Sequence, residues 1–185
     1  ISDVLEAITL AATDDDIKLI VLDLDQLTYA SSAQVLRIGA ALDRFKDTGK
    51  EIISYEDNFQ QFQYHIASYA NELYMHPWGD ALLTGYGGNT LYFREMLEKL
   101  SVNVHVFRVG GFKSAVEPFT RDDMSEEAKL ARQTLYNGLW RYLVEDIADN
   151  RKLPVDDIEA YSQQFSVLLE KAGGDMGRAT LEAKL

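Results

Sequence analysis

The chain has no cysteine, only three prolines, and an excess of acid over base. The missing cysteines remove disulfide frameworks, thiol nucleophiles and thiolate metal sites. Lys plus Arg number 18 against 30 for Asp plus Glu, a net charge of −12. That sign argues against a general nucleic-acid binder, whose affinity comes from cations that neutralise phosphates. It also argues against a basic patch held on anionic lipid. The longest near-apolar runs, such as Ile17 to Leu24, are strand-sized and fall short of the roughly 20 residues that span a bilayer. No basic stretch precedes an apolar one at the start, so no signal peptide is read. The chain opens at Ile1-Ser2-Asp3 without an initiator Met and reads as a piece of something longer.

What remains is 185 residues, 46% of them hydrophobic. That length fits one domain over residues 1–185, and a chain of this size buries roughly 70% of its unfolded surface without staples. Apolar residues recur at helical spacing in Ser2–Ala12, in Ala33–Lys46 after the capping residues Ser31 and Ser32, and in Phe59–Ala70. Further helices are expected over Leu91–Leu100, capped by Asn89, and from Ser125 to about Asn150, burying Ala131, Leu135, Leu139 and Tyr142. Pro154 opens another helix and Asp175 caps the last. Between them lie four strand-like runs, Ile17–Leu24, Ile52–Tyr55, Glu72–His76 and Val102–Val109. The first is so continuously apolar that it suits a strand covered on both faces. Strand and helix in alternation define an α/β fold with a parallel-rich sheet flanked by helices. No Gly-x-Gly-x-x-Gly follows the first strand, so no dinucleotide site is read.

Several residue types invite chemistry, each with a plainer structural reading. Asp23 and Asp25 end the first strand, where open α/β sheets place ligands. Paired carboxylates there can hold Mg²⁺, but no third ligand stands at a recognisable spacing, and hydrogen-bonded loop carboxylates are the favoured reading. His65, His76 and His105 form no ligand pair and are read as structural. Gly85-Tyr86-Gly87-Gly88-Asn89 can cradle an anion but lacks the Lys-Ser/Thr of a P-loop. Glu117 and Arg121 lie four apart, Pro118 disfavours a regular helix between them, and they too are read as structural.

One segment stands apart. After a strand end and a Gly110-Gly111 break comes a single Lys113 flanked by Phe112, Ser114 and Ala115. Lysine is ordinarily a solvated charge, but this apolar setting shifts the reading towards a buried amine, which can act as a general base. The run from Gly111 through Lys113 to Ser125 closely resembles the lysine motif of the signal peptide peptidase A (protease IV) family. Tyr64–Asn71, Val104–Gly110 and Ala172-Gly173-Gly174-Asp175 extend the resemblance over essentially the whole chain. The resemblance implies a ClpP/crotonase-like fold and a Ser–Lys dyad that cuts remnant signal peptides in the membrane. It assigns Lys113 as the catalytic base, needs no cofactor or metal, and implies a homo-oligomeric ring at the bacterial inner membrane, facing the periplasm.

The departures from the family pattern are as informative. Where the family carries its nucleophile in a Ser-Gly-Gly segment, this chain has Asn58-Phe59-Gln60-Gln61-Phe62-Gln63-Tyr64. Where the family's oxyanion loop carries Pro-Gly-Gly, Leu27 to Ser32 has neither proline nor glycine. Lysine without serine is similar to the amino-terminal domain of the family's long two-domain form. The partner implied is a second peptidase domain that carries the serine, and some of the ten Tyr, eight Phe and two Trp are expected to face it. Bringing an amine from about 10.4 to the 7–8 of a useful base needs about 4 kcal/mol of preference for the neutral form. Burial supplies that only when nearly complete, so the partner has to complete it. Ser114 makes a poor nucleophile for Lys113, because adjacent side chains point apart. A crotonase-type acyl-thioester enzyme is disfavoured by the glycine-poor Leu27–Ser32 loop, and a non-catalytic assembly domain is the remaining alternative. The 185-residue chain alone is therefore expected not to hydrolyse peptides. A fluorogenic peptide-release assay checks this, and steady turnover abolished by Ser114→Ala would contradict it.

Overall fold

The computed structural model describes residues 1–185. Three strands form one parallel sheet in the order β1-β2-β3: β1 (Leu19–Asp23), β2 (Glu51–Glu56) and β3 (Glu72–Met75). The helices are α1 (Ser2–Thr13), α2 (Ser32–Lys46), α3 (Gln61–Ala67), α4 (Arg94–Lys99), α5 (Glu117–Thr120), α6 (Glu126–Arg151), α7 (Val155–Gln163), α8 (Phe165–Lys171) and α9 (Met176–Glu182). Within the span that the sequence treats as one domain, the chain gathers into two compact units. Ile1–Gly85 with Tyr142–Leu185 makes the first, and Tyr86–Arg141 makes the second.

Local chemistry explains why the elements of the first unit start and stop where they do. Ser31 caps α2: its Oγ accepts the Gln34 N–H, while Gln34 Oε1 accepts the Ser31 N–H at 2.8 Å. This reciprocal pair satisfies two amides that the helix cannot. Gly49, at φ +82°, turns the chain out of α2. Lys50 then reaches back and its Nζ donates to the Ala11 and Asp14 carbonyls, both at 2.7 Å, closing the C-terminal end of α1. Asp175 caps α9 by accepting the Arg178 N–H at 2.8 Å.

The core of the first unit is one apolar mass. Leu42 and Phe45 of α2, Ile52 of β2, Ile66 of α3, Leu143 and Ile147 of α6 and Ile158 of α7 are all fully buried. Gly39 lets α2 approach closely, since a Cβ there would lie 2.2 Å from the Tyr69 ring. Tyr161 pins α7 in place: its Oη donates to the Ala81 carbonyl at 3.0 Å and lies 2.9 Å from the Thr180 hydroxyl.

The sheet is covered on one face only. A 1-2-3 order with right-handed crossovers sends α2 and α3 to the same side. Ile52 and Ser54 are buried there. On the other face the register aligns Val21 with Ile53 and Glu72, and Asp23 with Tyr55 and Tyr74. Leu19, Val21, Tyr55 and Tyr74 are each about half exposed. The expectation that the first strand is covered on both faces is therefore corrected: its outward residues Leu19 and Val21 are about half exposed and meet no second layer of this unit.

Two further expectations change. Val102–Val109 has no regular structure and pairs with no strand, so the expected fourth strand is absent. Alternation needs a neighbouring edge to become a ladder, and here Val104 and Val109 stay exposed along with Phe107. Helix α4 begins at Arg94 rather than Leu91, and Phe93 takes the capping position expected of Asn89. On α6 the face is also shifted. Ala131 and Leu135 are exposed and Leu139 and Tyr142 half-buried, while Leu143, Val144, Ile147 and Ala148 carry the burial. Only Glu117 and Ala128 are fully buried between Tyr86 and Arg141, so the first half of α6 has little apolar surface to pack against.

The buried polar link between α3 and α6 has a measurable signature. His65 Nε2 and Tyr69 Oη each lie 2.6 Å from Asp146 Oδ2. A carboxylate oxygen brings no proton, so both groups donate to it. Burial opposes the Asp146 charge, yet the His65 and Tyr69 hydrogen bonds outweigh it and hold the carboxyl below its usual range. A depressed folded value means that protonation opposes folding. The contribution is full above the unfolded value of about 3.9 and is lost as pH falls through the lower folded value. Asp146→Asn is expected to cost about 1.5–3 kcal/mol at neutral pH. In urea denaturation between pH 6 and pH 2 its gap to the native sequence should close below about pH 4. A gap that widens on acidification would contradict this sign.

Candidate active site

Lys113 lies in the second unit, on the irregular stretch between the Val102–Val109 segment and α5. A cleft of about 590 Å³ opens there, lined by Val104, Val106, Phe107, Phe112, Lys113 and Phe119 among others. The cleft is apolar and open to solvent. Phe107 is 98% exposed, and Lys113 itself is exposed. The buried amine expected from the motif is thus not buried by this chain, in keeping with its small local core. Ser114 is half-buried, and its carbonyl accepts the Glu117 N–H at 3.0 Å, a backbone role.

The second unit holds the lysine stretch from two sides. The Phe93 N–H donates to the Pro118 carbonyl, and the Phe93 and Phe119 rings stack with centroids 6.2 Å apart, which joins α4 to α5. Arg94 forms an ion pair with Asp122 just beyond α5. Arg121 pairs with Asp123 at 2.8 Å rather than with the Glu117 side chain. Glu117 instead turns inward and accepts the Ser125 hydroxyl at 2.5 Å and the Ser125 N–H at 3.0 Å. These bonds to Ser125 outweigh burial and hold its carboxyl below the usual range. Ser125 Oγ also accepts the Ala128 N–H at 3.2 Å, and so starts α6 as its hydroxyl cap.

Where the resemblance would put serine and oxyanion glycines, this chain has amide struts. Gln63 Nε2 donates to the Leu24 carbonyl at 2.9 Å and the Leu27 carbonyl at 3.1 Å, tying α3 to the loop before α2. Its Oε1 accepts the Gln60 N–H at 2.8 Å. Gln61 Oε1 accepts the Gly85 N–H at 2.7 Å, and its Nε2 donates back to the Gly85 carbonyl at 3.3 Å. The first unit therefore spends these positions on closing loops.

The other candidates resolve into structural roles. Asp23 accepts the Asp25 N–H and the Tyr55 hydroxyl, both at 3.2 Å, and Asp25 bonds to the Gln26 amide. No three metal-ligating side chains come together. His65 is the Asp146 partner, and His76 Nδ1 accepts the Trp78 N–H at 3.1 Å. His105 lines the Lys113 cleft. Gly85 is held by Gln61, and Gly87 and Gly88 stand in open loop. A cavity of about 350 Å³ in the first unit, bounded by Tyr64, Met75, His76, Pro77, Arg178 and Leu181, does not include Lys113. Sequence reasoning missed Gln63 and Asp146. Gln63 had a signal, a glutamine set between the aromatic Phe62 and Tyr64. Asp146 had only its place beside the buried Ile147.

A parallel α/β sheet backed by helices in the first unit, and a lysine in an apolar cleft of the second, fit the peptidase-like α/β class that the motif suggests. The sequence pattern of peptidase family S49 matches residues 44–178, and the chain belongs to that family. The chain is 42% identical to Protease 4 of Haemophilus influenzae over 173 residues, which is 94% of this chain and 28% of that protein. It is 39% identical to Protease 4 of Salmonella typhi over 183 residues, 99% of this chain and 30% of that protein. A chloroplastic serine protease SPPA of Arabidopsis thaliana is 26% identical over 161 residues, 87% of this chain and 24% of that protein. The chain thus spans less than a third of the length of these relatives. Its resemblance to signal peptide peptidase A and its ClpP/crotonase-like α/β fold both stand with this membership.

Gln63 gives a direct check on the strut geometry. Gln63→Ala removes two donors from loop carbonyls and is expected to lower stability by about 1–3 kcal/mol. Amide exchange over residues 24–30 should quicken by roughly tenfold or more, at about 1.4 kcal/mol per decade. Unchanged exchange there would mean that the loop holds itself.

Proposed function

We propose that this chain is the lysine-donating domain of a serine endopeptidase that degrades remnant signal peptides. Lys113 is the general base, and the nucleophilic serine belongs to a second peptidase domain outside residues 1–185. The observation that carries this reading is Lys113 itself, one lysine in an apolar cleft within a family motif, in a chain whose counterpart of the serine segment holds Gln60, Gln61 and Gln63 and whose Leu27–Ser32 loop has no glycine. The amine takes the proton from the serine hydroxyl as it attacks the scissile carbonyl, then gives it to the leaving amine. The partner domain covers the cleft and supplies the desolvation that this chain lacks. The exposed Phe107, Val109 and Phe112 beside the lysine suit such a cover, and an apolar signal-peptide segment suits the same surface.

The open sheet face with Val21, Tyr55 and Tyr74 supports assembly into a homo-oligomeric ring. The resemblance to signal peptide peptidase A, with which the relatives named Protease 4 agree, extends the proposal to a place at the bacterial inner membrane, facing the periplasm. No helix here is long and apolar enough to cross a membrane. The exposure of Lys113 favours one second reading, a non-catalytic assembly domain.

The two readings separate in the full-length protein. Lys113→Ala is expected to lower peptide turnover by about 10²–10⁴-fold with folding and assembly intact. Lys113→Arg should fail as well, because a guanidinium stays protonated and cannot accept the serine proton. Steady-state kinetics with sedimentation of both variants checks this. Near-normal turnover of Lys113→Arg would rule out the base role and favour the assembly reading.

A further inference from the structure

Glu117 is the only acidic residue of the chain that is fully buried, at 2% exposure. A buried carboxylate has to be compensated by donors, and its donors here form a chain that ends at Lys113. On one side both carboxylate oxygens are taken by Ser125, at 2.5 Å from the hydroxyl and 3.0 Å from the N–H. On the other side Arg108 Nη1 stands 4.0 Å from Glu117 Oε1 and donates to the Lys113 carbonyl at 2.9 Å. The Glu117 N–H donates to the next carbonyl, that of Ser114, at 3.0 Å. Two successive carbonyls, Lys113 and Ser114, are therefore tied to Glu117, one through Arg108 and one directly. The stretch has no strand or helix of its own to fix it.

We propose that Glu117 and Arg108 are positioning residues for Lys113: the Glu117 carboxylate, anchored on Ser125, holds the Arg108 guanidinium against the Lys113 carbonyl and so sets where the lysine amine is presented. The proposal rests on the reading of Lys113 as the general base. A base has to sit within about 2.6–3.2 Å of the hydroxyl it deprotonates. A displacement of about 1 Å costs up to 10²-fold in rate, so a stretch with no strand or helix to fix it is where such precision has to be built by local contacts.

The test uses the full-length protein with Glu117→Gln, Arg108→Gln, the double variant and Lys113→Ala. Turnover of a fluorogenic peptide is divided by the number of sites that a serine-directed fluorophosphonate titrates, so misfolded protein drops out of the rate. Each single variant is expected to lower kcat per titrated site by about 10–100-fold with KM within about twofold. The double variant should be no slower than the slower single, because both substitutions break one chain of contacts. Arg108 is partly exposed, so Arg108→Gln carries the test if Glu117→Gln does not fold. Wild-type kcat per site in Arg108→Gln, or losses that multiply in the double variant, would overturn the proposal while leaving Lys113 as the base. Retained turnover in Lys113→Ala would instead remove the reading on which it rests.

Discussion

Asp146 is the contact on which the first unit depends most. The second half of α6 brings a carboxylate against α3, and a half-buried charge there is stable only if donors already wait for it. His65 and Tyr69, four residues apart on the α3 segment, supply them at 2.6 Å each. Asn150, one turn further along α6, donates to Ser68, whose hydroxyl in turn donates to the His65 carbonyl. This polar seam sets the register of α6 on α3, and the apolar residues beside it, Leu143 and Ile147, then fill the core behind the sheet. With α3 fixed, Gln61 and Gln63 can reach the loops they close.

The second unit works by different means. Its apolar residues are spread along Phe107, Val109, Phe112 and Phe119 and are largely exposed. What order it has comes from the stacked Phe93 and Phe119 rings and from polar links: the Arg94–Asp122 ion pair, the Glu117–Ser125 hydrogen bonds and the start of α6 at Ser125. A segment held by polar anchors and faced with exposed aromatics is suited to receive a cover from elsewhere. That is the arrangement a lysine base needs if its desolvation comes with its partner.

Much of the architecture was legible in the sequence because local signals and burial agree. The β-branched runs of β1 and β2 alternate with amphipathic helices, and Ser31, Ser125, Pro154 and Asp175 stand at the starts of the helices they announce. The misreadings share a cause, which is that a periodic pattern does not say what packs against it. Val102, Val104 and Val106 alternate as a strand does, yet they pair with no strand. Ala131 and Leu135 fall at helical spacing, yet that half of α6 meets no core. The lysine motif itself was readable from its neighbours in sequence. The Glu117–Arg108 link was not, because it depends on Glu117 turning towards Ser125 and away from Arg121, four residues along.

The central claim is that Lys113 of this chain activates a serine that this chain does not contain. The most direct measurement is labelling of the full-length protein with a fluorophosphonate, followed by peptide mapping of the modified serine. The account predicts a single labelled serine outside residues 1–185, with labelling slowed by roughly 10²-fold or more in Lys113→Ala. Label on Ser114, or on any other serine of residues 1–185, would contradict it.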